Sequence, residues 1–386
     1  MRFAVDAHAI GRHLTGNEVY IRSLLNALAA QERDCELLAY VSDAEAAGGA
    51  LAGSIRTRRV SRDPFVRLGF GLTANIWRDQ PDLLHVQYTS PLVCPVPCVV
   101  TVHDVSFLEH PEYFRRERAL QLKLTVGRTV RRAAKVLTVS EFSRNSILKA
   151  YGDLHEDKVV VVSNSAAPLF RPISREAAAA AVRDRFSVNA PFLLGVGDLL
   201  PRKNQIGLIR AFTSLIQAYP QFPHHLVLAG KETWFAHYVR QAARESGLAD
   251  RIHFVGFVSD TELLHLYNAC EVFVFPSYYE GFGLPAVEAM ACGRAVVCSG
   301  TSALPEVVDG AALVFDPYSV HEMVRALADL LLDSELRIRM QRLGLQRAAH
   351  FSWEKAAKQT LDVYYEVVNR SRAVSRAAET PSVAHP

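Results

Sequence analysis

The sequence predicts an α/β fold with two parallel β-sheets, each in its own domain. Short runs of β-branched residues and leucine alternate with helical patterns over most of the 386 residues, and this alternation is typical of parallel strands joined by helices. A chain of this length favours about two domains over a single core. The strand-like runs also outnumber the roughly seven strands of a typical doubly wound sheet, so two sheets are expected.

The predicted strands divide almost evenly between the two halves of the chain. The first half contains RFAVD, CELLAY, SIRTRRV, DLLHVQ, PCVVTVHD, KVLTVS and KVVVVSN, and the second half contains PFLLGVG, HHLVLAG, RIHFVG, EVFVFPS, RAVVCS and AALVFDP. Helical patterns over residues 18–30, 115–134 and 141–151 separate strands of the first half. Beyond Pro317 the pattern becomes wholly helical as far as about residue 373.

The domain boundary is expected in SNSAAPLFRPIS, residues 163–174, because small residues and prolines interrupt both periodic patterns there. This boundary gives an amino-terminal domain over residues 1–167 and a carboxyl-terminal domain over residues 168–352. A last helix is predicted over residues 353–370. The polar, proline-containing segment 371–386 is expected to be disordered.

The composition is that of an ordinary soluble globular protein, with 49% hydrophobic and 22% charged residues. A formal net charge of +3 is too small to favour nucleic acid as the main partner. The six cysteines form no CxxC pair and are interpreted as reduced, mostly buried thiols without a structural zinc. The amino terminus lacks the apolar core of a signal peptide, and no apolar run reaches the ~20 residues of a membrane span. A cytoplasmic location is therefore predicted, with peripheral attachment to the inner face of the membrane at most.

Rossmann-like sheets bind ligands beyond the carboxyl ends of their strands, so the chemistry is expected in loops that follow strands. One such loop, GVGDLLPRKNQ, lacks the third glycine of a dinucleotide fingerprint because Leu200 stands there. Arg202 and Lys203 come just before a helix predicted to begin near Asn204. Two cations at that place oppose the helix dipole at a cost of ~0.3–1 kcal/mol each, which suggests a bound anion. Two solvated basic residues are the alternative.

A second loop, YYEGFGLPAVEAM, places Glu280 and Glu288 around a glycine-rich turn after the strand EVFVFPS. A turn of this kind before a helix typically presents backbone N–H groups to an anion, and those of Phe282, Gly283 and Leu284 are the candidates. Glu288 is predicted to lie in the first helical turn, where an acid also stabilises the helix dipole. Glu280 has no comparable structural explanation.

Two loops of the first domain are further candidates. DAHAIGRHLTGNEVY places Gly16 before a helix that begins near residues 17–18, where a ligand could approach the backbone closely; a loop with a helix-capping glycine is the alternative. TVHDVSF places His103 and Asp104 at the end of a strand. They are either a hydrogen-bonding group and its orienting partner, or a surface histidine and a capping aspartate.

These groups together suit one class of ligand. Ionised carboxylates accept hydrogen bonds and donate none, so Glu280 and Glu288 suit hydroxyl groups and not phosphate oxygens. The two cations and the backbone N–H groups suit phosphates. A nucleotide diphosphate sugar, with its diphosphate between a ribose and a hexose, would use every one of these groups.

Seven motifs follow one another along the chain, within a resemblance that extends from residue 1 to about Asn369: TGNEVY, TVHD, VSEFSR, VGDLLPRKN, PSYYEGFGLPAVEAMACGRAVV, TSALPEV and LVFDP. Their order and their positions after strands resemble the family 4 retaining glycosyltransferases, the glycosyl transferases group 1. The resemblance implies the glycosyltransferase B fold, in which two facing Rossmann-like domains hold the active site in the interdomain cleft. It also implies that the last helix crosses back to the first domain.

The resemblance implies a role for each matching residue. Glu280 would lie beside the hydroxyls of the donor hexose and Glu288 would bind the ribose. Arg202 and Lys203 would hold the diphosphate, with Gly16 close to it. The other implied positions are Gly256, Gly281, Phe282, Gly283 and Leu284 for donor binding, His103 near the transferred sugar, and Asn17, Tyr88 and Asp104 on the acceptor side. Glu280, Arg202, Lys203 and His103 form the implied catalytic set.

Two positions depart from the family pattern. Asp198 follows Gly197 where many members carry an arginine, so no third phosphate cation is expected. Asn17 stands where many members have a small or apolar residue. The family acts without a metal in its active site, and no Asp-x-Asp motif in a loop calls for one here, so neither a cofactor nor a metal is predicted.

The implied activity is transfer of a hexose from a nucleotide diphosphate sugar to a hydroxyl of a glycan or lipid-linked glycan, with retention of configuration. A front-face reaction is favoured over a covalent intermediate on Glu280. HDVSFLEHPEYF is similar to mannosyl- and rhamnosyl-transferring members and favours GDP-mannose as the donor. The alternatives are a nucleotide-sugar epimerase or phosphorylase on the same fold, and a non-catalytic partner subunit.

The helix predicted over residues 115–135 has an apolar stripe of Leu122, Val126, Val130 and Ala133. Its other sides carry Arg116, Lys123, Arg128, Arg131, Arg132 and Lys135. A basic amphipathic helix predicts peripheral contact with anionic lipid, which would suit a lipid-linked acceptor. A solvated outer face of a Rossmann helix is the alternative.

Overall fold

A computed structural model describes residues 1–12, 15–31 and 34–379 of the chain. The chain divides into two compact units. The first comprises residues 1–139 and 143–164 together with the chain from Trp353 onward, and the second comprises residues 140–142 and 165–352. The change from the first unit to the second after Asn164 falls within the segment that the sequence marks as the boundary.

The first unit contains a seven-stranded sheet in the order β3-β2-β1-β4-β5-β6-β7, and every neighbouring pair is parallel. Its strands are β1 (Arg2–Asp6), β2 (Glu36–Val41), β3 (Arg56–Arg59), β4 (Leu83–Gln87), β5 (Cys98–Thr101), β6 (Lys135–Thr138) and β7 (Val159–Val161). Each corresponds to a predicted strand of the first half. The strand order reverses between β1 and β4, the position at which such sheets bind ligands.

Helices cover both faces of this sheet. They are α1 (Thr15–Ala29), α2 (Ala44–Ala50), α3 (Pro64–Val66), α4 (Leu72–Asp79), α5 (Ser106–Glu109), α6 (Arg116–Arg132) and α7 (Glu141–Ala150). A π-helical turn, Arg67–Gly71, joins α3 to α4. One core contains residues of α1 and α2, and the other contains residues of α4, α6 and α7. The helices α4 and α6 therefore lie on the same face of the sheet.

The second unit contains a six-stranded parallel sheet in the order β10-β9-β8-β11-β12-β13. Its strands are β8 (Phe192–Val196), β9 (His225–Ala229), β10 (Ile252–Gly256), β11 (Val272–Phe275), β12 (Ala295–Ser299) and β13 (Leu313–Phe315). All six were expected from the sequence, so the predicted α/β class with two parallel sheets is confirmed. The order of this sheet reverses between β8 and β11.

The helices of the second unit alternate with these strands and continue beyond them. They are α8 (Arg175–Phe186), α9 (Gln205–Ala218), α10 (Ala236–Glu245), α11 (Asp260–Ala269), α12 (Leu284–Ala291), α13 (Leu304–Val308), α14 (Val320–Leu332) and α15 (Ser334–Ala348). The core contains Leu193, Val274 and Val297 from the strands and Phe212 and Leu327 from helices. These continuous apolar strands are typical of a parallel sheet that is buried on both faces.

The last helix, α16 (Trp353–Glu379), belongs to the first unit. Its Tyr364 ring lies 5.0 Å from that of Phe3, centroid to centroid, and its hydroxyl lies 2.5 Å from Nδ1 of buried His85. The helix runs beyond the predicted end at residue 370, because residues 371–379 contain helix-forming alanine and arginine and neither glycine nor proline. Of the tail predicted to be disordered from residue 371, only residues 380–386 lie outside the described residues.

Helix α6 ends three residues before the predicted end at residue 135. Lys135 is the first residue of β6, where it is buried with its Nζ 3.0 Å from the carboxylate of Glu366. The assignment of Lys135 to the basic helix is therefore wrong, because the chain turns extended at Ala133, the carboxyl-terminal cap of α6. No helix within residues 1–12, 15–31 and 34–379 is both long and apolar enough to cross a bilayer.

All six cysteines are free thiols. Cys98, Cys270, Cys292 and Cys298 are buried, and Cys35 and Cys94 are half-buried. The interpretation of these residues as mostly buried, reduced thiols therefore agrees with their positions in the structure.

Candidate functional site

The principal candidate site lies where β8 and β11 end, at the reversal of strand order in the second sheet. The segment after β8 contains a 3₁₀ turn, Pro201–Lys203, and the segment after β11 contains Tyr278 and Glu280. The backbone N–H of Tyr278 donates a hydrogen bond to the carbonyl of Arg202 at 2.8 Å. This contact fixes one loop against the other.

Arg202, Lys203 and Glu280 form an ion-pair cluster. The Lys203 Nζ lies 2.5 Å from Glu280 Oε1, and the Arg202 Nη1 lies 3.0 Å from Glu280 Oε2. Arg202 also donates to the carbonyl of Tyr279 at 3.1 Å. Because two cations share one carboxylate, the cluster has a net positive charge.

Burial and charge oppose one another at this cluster. Burial raises the pKa of Glu280, but the neighbouring Arg202 and Lys203 outweigh it and lower this pKa to about 2. Burial lowers the pKa of Lys203, and the carboxylate of Glu280 opposes that change. Glu280 is therefore ionised at any physiological pH. Enclosing three ionised groups is costly for stability, and such clusters are typical of functional sites.

The Glu280 carboxylate therefore has a structural role that the sequence did not reveal. It is the counter-ion of Arg202 and Lys203, although Lys203 lies 77 positions earlier in the chain. The two cations do not lie on α9 itself, because Asn204 caps that helix by accepting a hydrogen bond from the Gly207 N–H at 3.2 Å. Their positive charge is thus compensated in part within the chain before any anion binds.

Two glycines at strand ends permit close packing around Lys203 and the loop that precedes it. Gly197 follows β8 with φ +149°, and a Cβ there would lie 3.2 Å from Lys203 Cδ. Gly230 follows β9 with φ +153°, and a Cβ there would lie 2.1 Å from the carbonyl oxygen of Gly197. Gly197, the second glycine of the fingerprint-like loop, therefore leaves space for the Lys203 side chain, and Gly230 leaves space for the backbone of Gly197.

The glycine-rich turn is held from two sides. Gly283 has φ +98° and caps α12, and a Cβ on it would lie 2.4 Å from Leu304 Cδ2. The Glu280 N–H donates to Ser302 Oγ at 2.9 Å. Of the other predicted donor-binding positions, Gly281 and Phe282 belong to the same turn and Leu284 is the first residue of α12. The backbone that carries Glu280 is thus fixed on both sides of the carboxylate.

Glu288 lies in the second turn of α12, not the first. The helix begins at Leu284, directly after its Gly283 cap, and its first turn contains no acidic residue. The predicted interaction of Glu288 with the helix dipole is therefore wrong. Glu288 is instead buried, and it accepts a hydrogen bond from the Tyr267 hydroxyl at 2.9 Å. Burial, and then the charge of Glu288, raise the pKa of Tyr267.

Gly256 is the last residue of β10, on the edge of the same sheet. It has φ +70°, and its carbonyl accepts a hydrogen bond from the Gly230 N–H at 2.8 Å. No atom within 4 Å would contact a Cβ at this position. Because β9 lies between β10 and β8, Gly256 is displaced along the sheet edge from the ion-pair cluster.

The predicted polar positions of the first unit lie together near the ends of β4 and β5. His103 Nε2 is 2.9 Å from Gln87 Oε1, and Gln87 Nε2 donates to the carbonyl of Asn17 at 3.3 Å. The rings of Tyr20 and Tyr88 lie 4.6 Å and 5.6 Å from that of His103. Tyr88 has an unusual φ of +59°. Such strained backbone is typical of functional sites.

Gln87 and Tyr20 were missed from the sequence. Gln87 is the polar last residue of the buried strand in DLLHVQ, and this strand lies beside the strand-order reversal. A polar residue at that position could have indicated a role in the site. Because the Gln87 amide nitrogen donates to Asn17, its oxygen is the acceptor toward His103. Nε2 of His103 therefore carries the hydrogen, and in the neutral ring Nδ1 is an acceptor.

Asp104 and Gly16 have local roles. Asp104 Oδ1 accepts hydrogen bonds from the N–H and the hydroxyl of Ser106, at 2.9 Å and 2.6 Å, so it fixes a loop turn and not the tautomer of His103. Gly16 lies inside the first turn of α1, which begins at Thr15 and not near residues 17–18. A Cβ at Gly16 would contact nothing within 4 Å, so the backbone there is open to a ligand.

Two histidines of the first unit predict how its stability depends on pH. Burial lowers the pKa of His85 to about 3 and that of His103 to about 4, whereas histidine in an unfolded chain titrates near ~6.5. Between these values the unfolded chain binds more protons than the folded chain. The contribution of these histidines to the free energy of unfolding should therefore be fully present above about pH 6.5. Below that pH, the free energy of unfolding should fall by about 1.4 kcal/mol per pH unit for each histidine.

Denaturant titrations between about pH 7 and pH 4 test this expectation. His103→Gln should reduce the acid-side slope, whereas the exposed control His321→Gln should leave it unchanged. An unchanged slope in His103→Gln would show that His103 is not held neutral by burial.

Two family models match most of the chain. Residues 181–347 match Glycosyl transferases group 1, and residues 14–166 match Glycosyltransferase Family 4. The O-antigen chain mannosyltransferase B of Escherichia coli is 34% identical over 266 residues, which cover 69% of this chain and 69% of that protein. The chain is a family 4 glycosyltransferase of group 1.

This glycosyltransferase is mannosyltransferase-like in sequence. The serotype-specific mannosyltransferase WbdA of Escherichia coli is 29% identical over 282 residues, which cover 72% of this chain but 34% of that longer protein. The predicted family, including its similarity to mannosyltransferases, is therefore confirmed.

Solved structures show the fold of this glycosyltransferase. Sucrose-phosphate synthase from Thermosynechococcus elongatus superposes with a TM-score of 0.78 at 21% identity, over 96% of this chain and 100% of that chain. Anabaena HepE in complex with UDP-glucose superposes with a TM-score of 0.74 at 19% identity, over 95% and 100%. The chain has the glycosyltransferase B fold, as predicted.

Proposed function

We propose that this glycosyltransferase moves a hexose from a nucleotide diphosphate sugar to a hydroxyl of a glycan or lipid-linked glycan, with retention of anomeric configuration. One observation carries the proposal: Arg202 and Lys203 converge on a single carboxylate at the strand-order reversal of the second sheet. A net positive, largely buried cluster next to a glycine-rich turn suits a diphosphate.

The cluster stabilises the charge that develops during transfer. As the bond between the anomeric carbon and the phosphate oxygen breaks, negative charge grows on the leaving diphosphate. Arg202 and Lys203 interact more strongly with that charge than with the intact donor, and such differential stabilisation accelerates the reaction. The new bond forms between the anomeric carbon and the acceptor oxygen, and the hydroxyl proton passes to the leaving phosphate on the same face.

Glu280 has two tasks in this proposal. Before the donor binds, it neutralises part of the charge of Arg202 and Lys203 and holds both side chains in place. With the donor bound, its ionised oxygens accept hydrogen bonds from hexose hydroxyls and stabilise positive charge on the sugar ring. Glu288, held by the Tyr267 hydroxyl at 2.9 Å, accepts from the ribose hydroxyls.

His103 acts as a hydrogen-bonding group for the transferred sugar. Its lowered pKa of about 4 leaves the ring neutral at pH 7, and Gln87 fixes the hydrogen on Nε2. Nδ1 can then accept a hydrogen bond from a sugar hydroxyl without adding positive charge. Asn17 and Tyr88, which surround this group, belong to the acceptor side in the same proposal.

GDP-mannose is the proposed donor, and polysaccharide assembly is the proposed setting. Both related proteins are named as mannosyltransferases, and the name of one refers to an O-antigen chain. We further propose that transfer needs no metal, because the cluster itself supplies positive charge to the diphosphate. A cytoplasmic location, at the inner face of the membrane, would be compatible with such a donor.

A donor screen tests this proposal. The purified chain is incubated with GDP-mannose, UDP-glucose and ADP-glucose, and thermal shift is measured for each with and without excess EDTA. The rate of transfer to a soluble glycan acceptor is measured under the same two conditions. GDP-mannose should give the largest increase in Tm, and EDTA should leave that increase and the transfer rate unchanged. A larger shift with a UDP- or ADP-sugar would refute the donor assignment, and loss of transfer in EDTA would refute metal independence.

A further inference from the structure

The large apolar side chains that the first unit exposes are concentrated in three short segments. Phe65 is 78% exposed, Phe70 68% and Trp77 63%. The complete set is Phe65, Val66, Phe70, Trp77, Leu92, Val93, Leu120 and Leu124, and we call it the apolar surface. Among the described residues of the first unit, Met1 is the remaining large apolar side chain that is exposed. Such concentration typically marks an interaction surface.

Hydrogen bonds join the three segments into one surface. The Leu92 N–H donates to the carbonyl of Leu68 at 2.8 Å, and the Thr73 hydroxyl donates to the carbonyl of Val93 at 2.5 Å. The Arg128 guanidinium on α6 donates to the carbonyl of Pro91 at 3.3 Å. Leu120, Leu124 and Arg128 are spaced four residues apart along α6 and therefore lie on one side of it.

The exposed aromatic side chains are not displaced core residues. In α4, Leu72 and Ile76 are buried in the core with Val126 and Val130 of α6. Phe70 and Trp77, seven residues apart, lie together on the opposite side. The π-helical turn Arg67–Gly71 lies between Phe65 and α4, so it determines the angle about the helix axis between Phe65 and this side. Turns of this kind are frequent at functional sites. The inner side of this helical segment is therefore packed in the core, whereas its aromatic outer side is exposed.

Positive charge surrounds the apolar surface. Helix α6 contains the six cations Arg116, Arg118, Lys123, Arg128, Arg131 and Arg132, and Glu117 is its single acid. Arg78 is exposed next to Trp77. Arg131 is paired with Asp153 at 2.8 Å. On the side of α3 and α4, Asp63 caps α3 and Asp79 pairs with Arg58 at 2.6 Å.

The chemistry of this surface selects one partner. Exposed phenylalanine, tryptophan and leucine surrounded by arginine and lysine are the composition of segments that lie in the interface of an anionic bilayer. Tryptophan favours the depth of the lipid headgroups. A second copy of the chain is a poorer partner, because it would bring the cations of two α6 helices together without counter-charge. We propose that the apolar surface inserts into the headgroup region of an anionic bilayer, with the cations of α6 on the lipid phosphates.

The apolar surface extends along α4 and α6 on one face of the sheet. Helix α4 runs from the carboxyl end of β3 toward the amino end of β4, so Trp77 lies near the amino ends of the strands, where the carbonyl of Asp79 accepts a hydrogen bond from Arg2. The docking rests on the exposure and charge of this surface and not on the proposed function.

Vesicle binding of the full chain tests the proposal. The vesicles contain phosphatidylethanolamine with phosphatidylglycerol, and vesicles of phosphatidylcholine provide the neutral comparison. Wild type should bind the anionic vesicles, and Phe70→Ser/Trp77→Ser should lower the partition coefficient at least about tenfold. The matched control Leu332→Ser/Ile338→Ser replaces two exposed apolar residues of the second unit and should bind like wild type.

Tryptophan fluorescence distinguishes insertion from simple charge attraction. The three tryptophans are Trp77, half-exposed Trp234 and buried Trp353, so Trp234→Phe leaves Trp77 as the exposed reporter. Brominated acyl chains should quench this variant. Absence of binding, unquenched Trp77, or binding that Phe70→Ser/Trp77→Ser leaves intact would each overturn the proposal.

A concentration-dependent dimer that the same double variant dissociates would also overturn the proposal, in favour of a second copy as the partner. Transfer to a water-soluble glycan should remain at the wild-type rate in the double variant. That assay separates failure of docking from failure of the proposed function, because the transfer groups are left untouched.

Discussion

Lys203→Ala is expected to lower kcat/KM for hexose transfer by at least about 100-fold, the scale of losing one charged contact to a transition state. The Lys203 Nζ is 2.5 Å from Glu280 and largely enclosed. Without it, Glu280 is paired with Arg202 alone and the cluster loses its net positive charge. The growing charge of the diphosphate would then have no excess cation to stabilise it. The measurement is the initial rate of transfer from GDP-mannose to a soluble glycan acceptor.

Two comparisons separate the charge of Lys203 from its volume. Lys203→Met keeps most of the side-chain volume beside Gly197 and should lose as much activity as Lys203→Ala. Arg325→Ala, which removes an exposed cation from α14, should retain wild-type activity. Near-wild-type transfer in Lys203→Met would remove Lys203 from the proposed mechanism. Intact folding of each variant is established by its unfolding transition in the absence of donor.

Glu280→Gln is expected to have two effects of opposite direction. Transfer should fall at least about 100-fold, because a neutral amide no longer stabilises positive charge on the sugar or holds both cations. Affinity for GDP should be retained or increase, because the carboxylate that competes with the diphosphate for Arg202 and Lys203 is gone. A purely structural role for Glu280 would weaken both transfer and GDP binding.

Stability measurements sharpen the test of Glu280. Removal of one partner from a buried ion-pair cluster typically costs about 3–5 kcal/mol in the free energy of unfolding. GDP should restore part of that loss by occupying the place of the carboxylate, so the increase in Tm on adding GDP should be larger in Glu280→Gln than in wild type. An equal or smaller increase would contradict the proposed competition. Glu335→Gln, at an exposed position of α15, provides the control.

Much of the fold was predictable because its signals are local. A strand that is buried on both faces needs a continuous apolar run, and EVFVFPS and RAVVCS became β11 and β12 for that reason. The end of α16 was less predictable, because residues 371–379 favour a helix without an apolar stripe to indicate one. Local propensity there extended the helix to Glu379.

The candidate site was predictable as a set of positions but not as a set of contacts. Arg202, Lys203 and Glu280 stood out because each follows a strand beside glycine. Their pairing depends on β8 lying next to β11 in the sheet, although β9 and β10 come between these two strands in the chain. Glu288 illustrates the converse: α12 begins at Leu284, so Glu288 lies just beyond the first helical turn and accepts the Tyr267 hydrogen bond instead of interacting with the helix dipole.

The sequence by itself determined the α/β class, the strands of both sheets and the glycosyltransferase motifs, because apolar periodicity and turn residues act over a few neighbouring positions. Only the tertiary structure decided that Glu280 is the counter-ion of Arg202 and Lys203, that Gln87 orients His103, and that the aromatic side of the α4 segment is left uncovered. The physical reason is the same in each case. Charge pairing, hydrogen bonding and exposure depend on which distant segments the sheets bring together, and local periodicity does not determine those contacts.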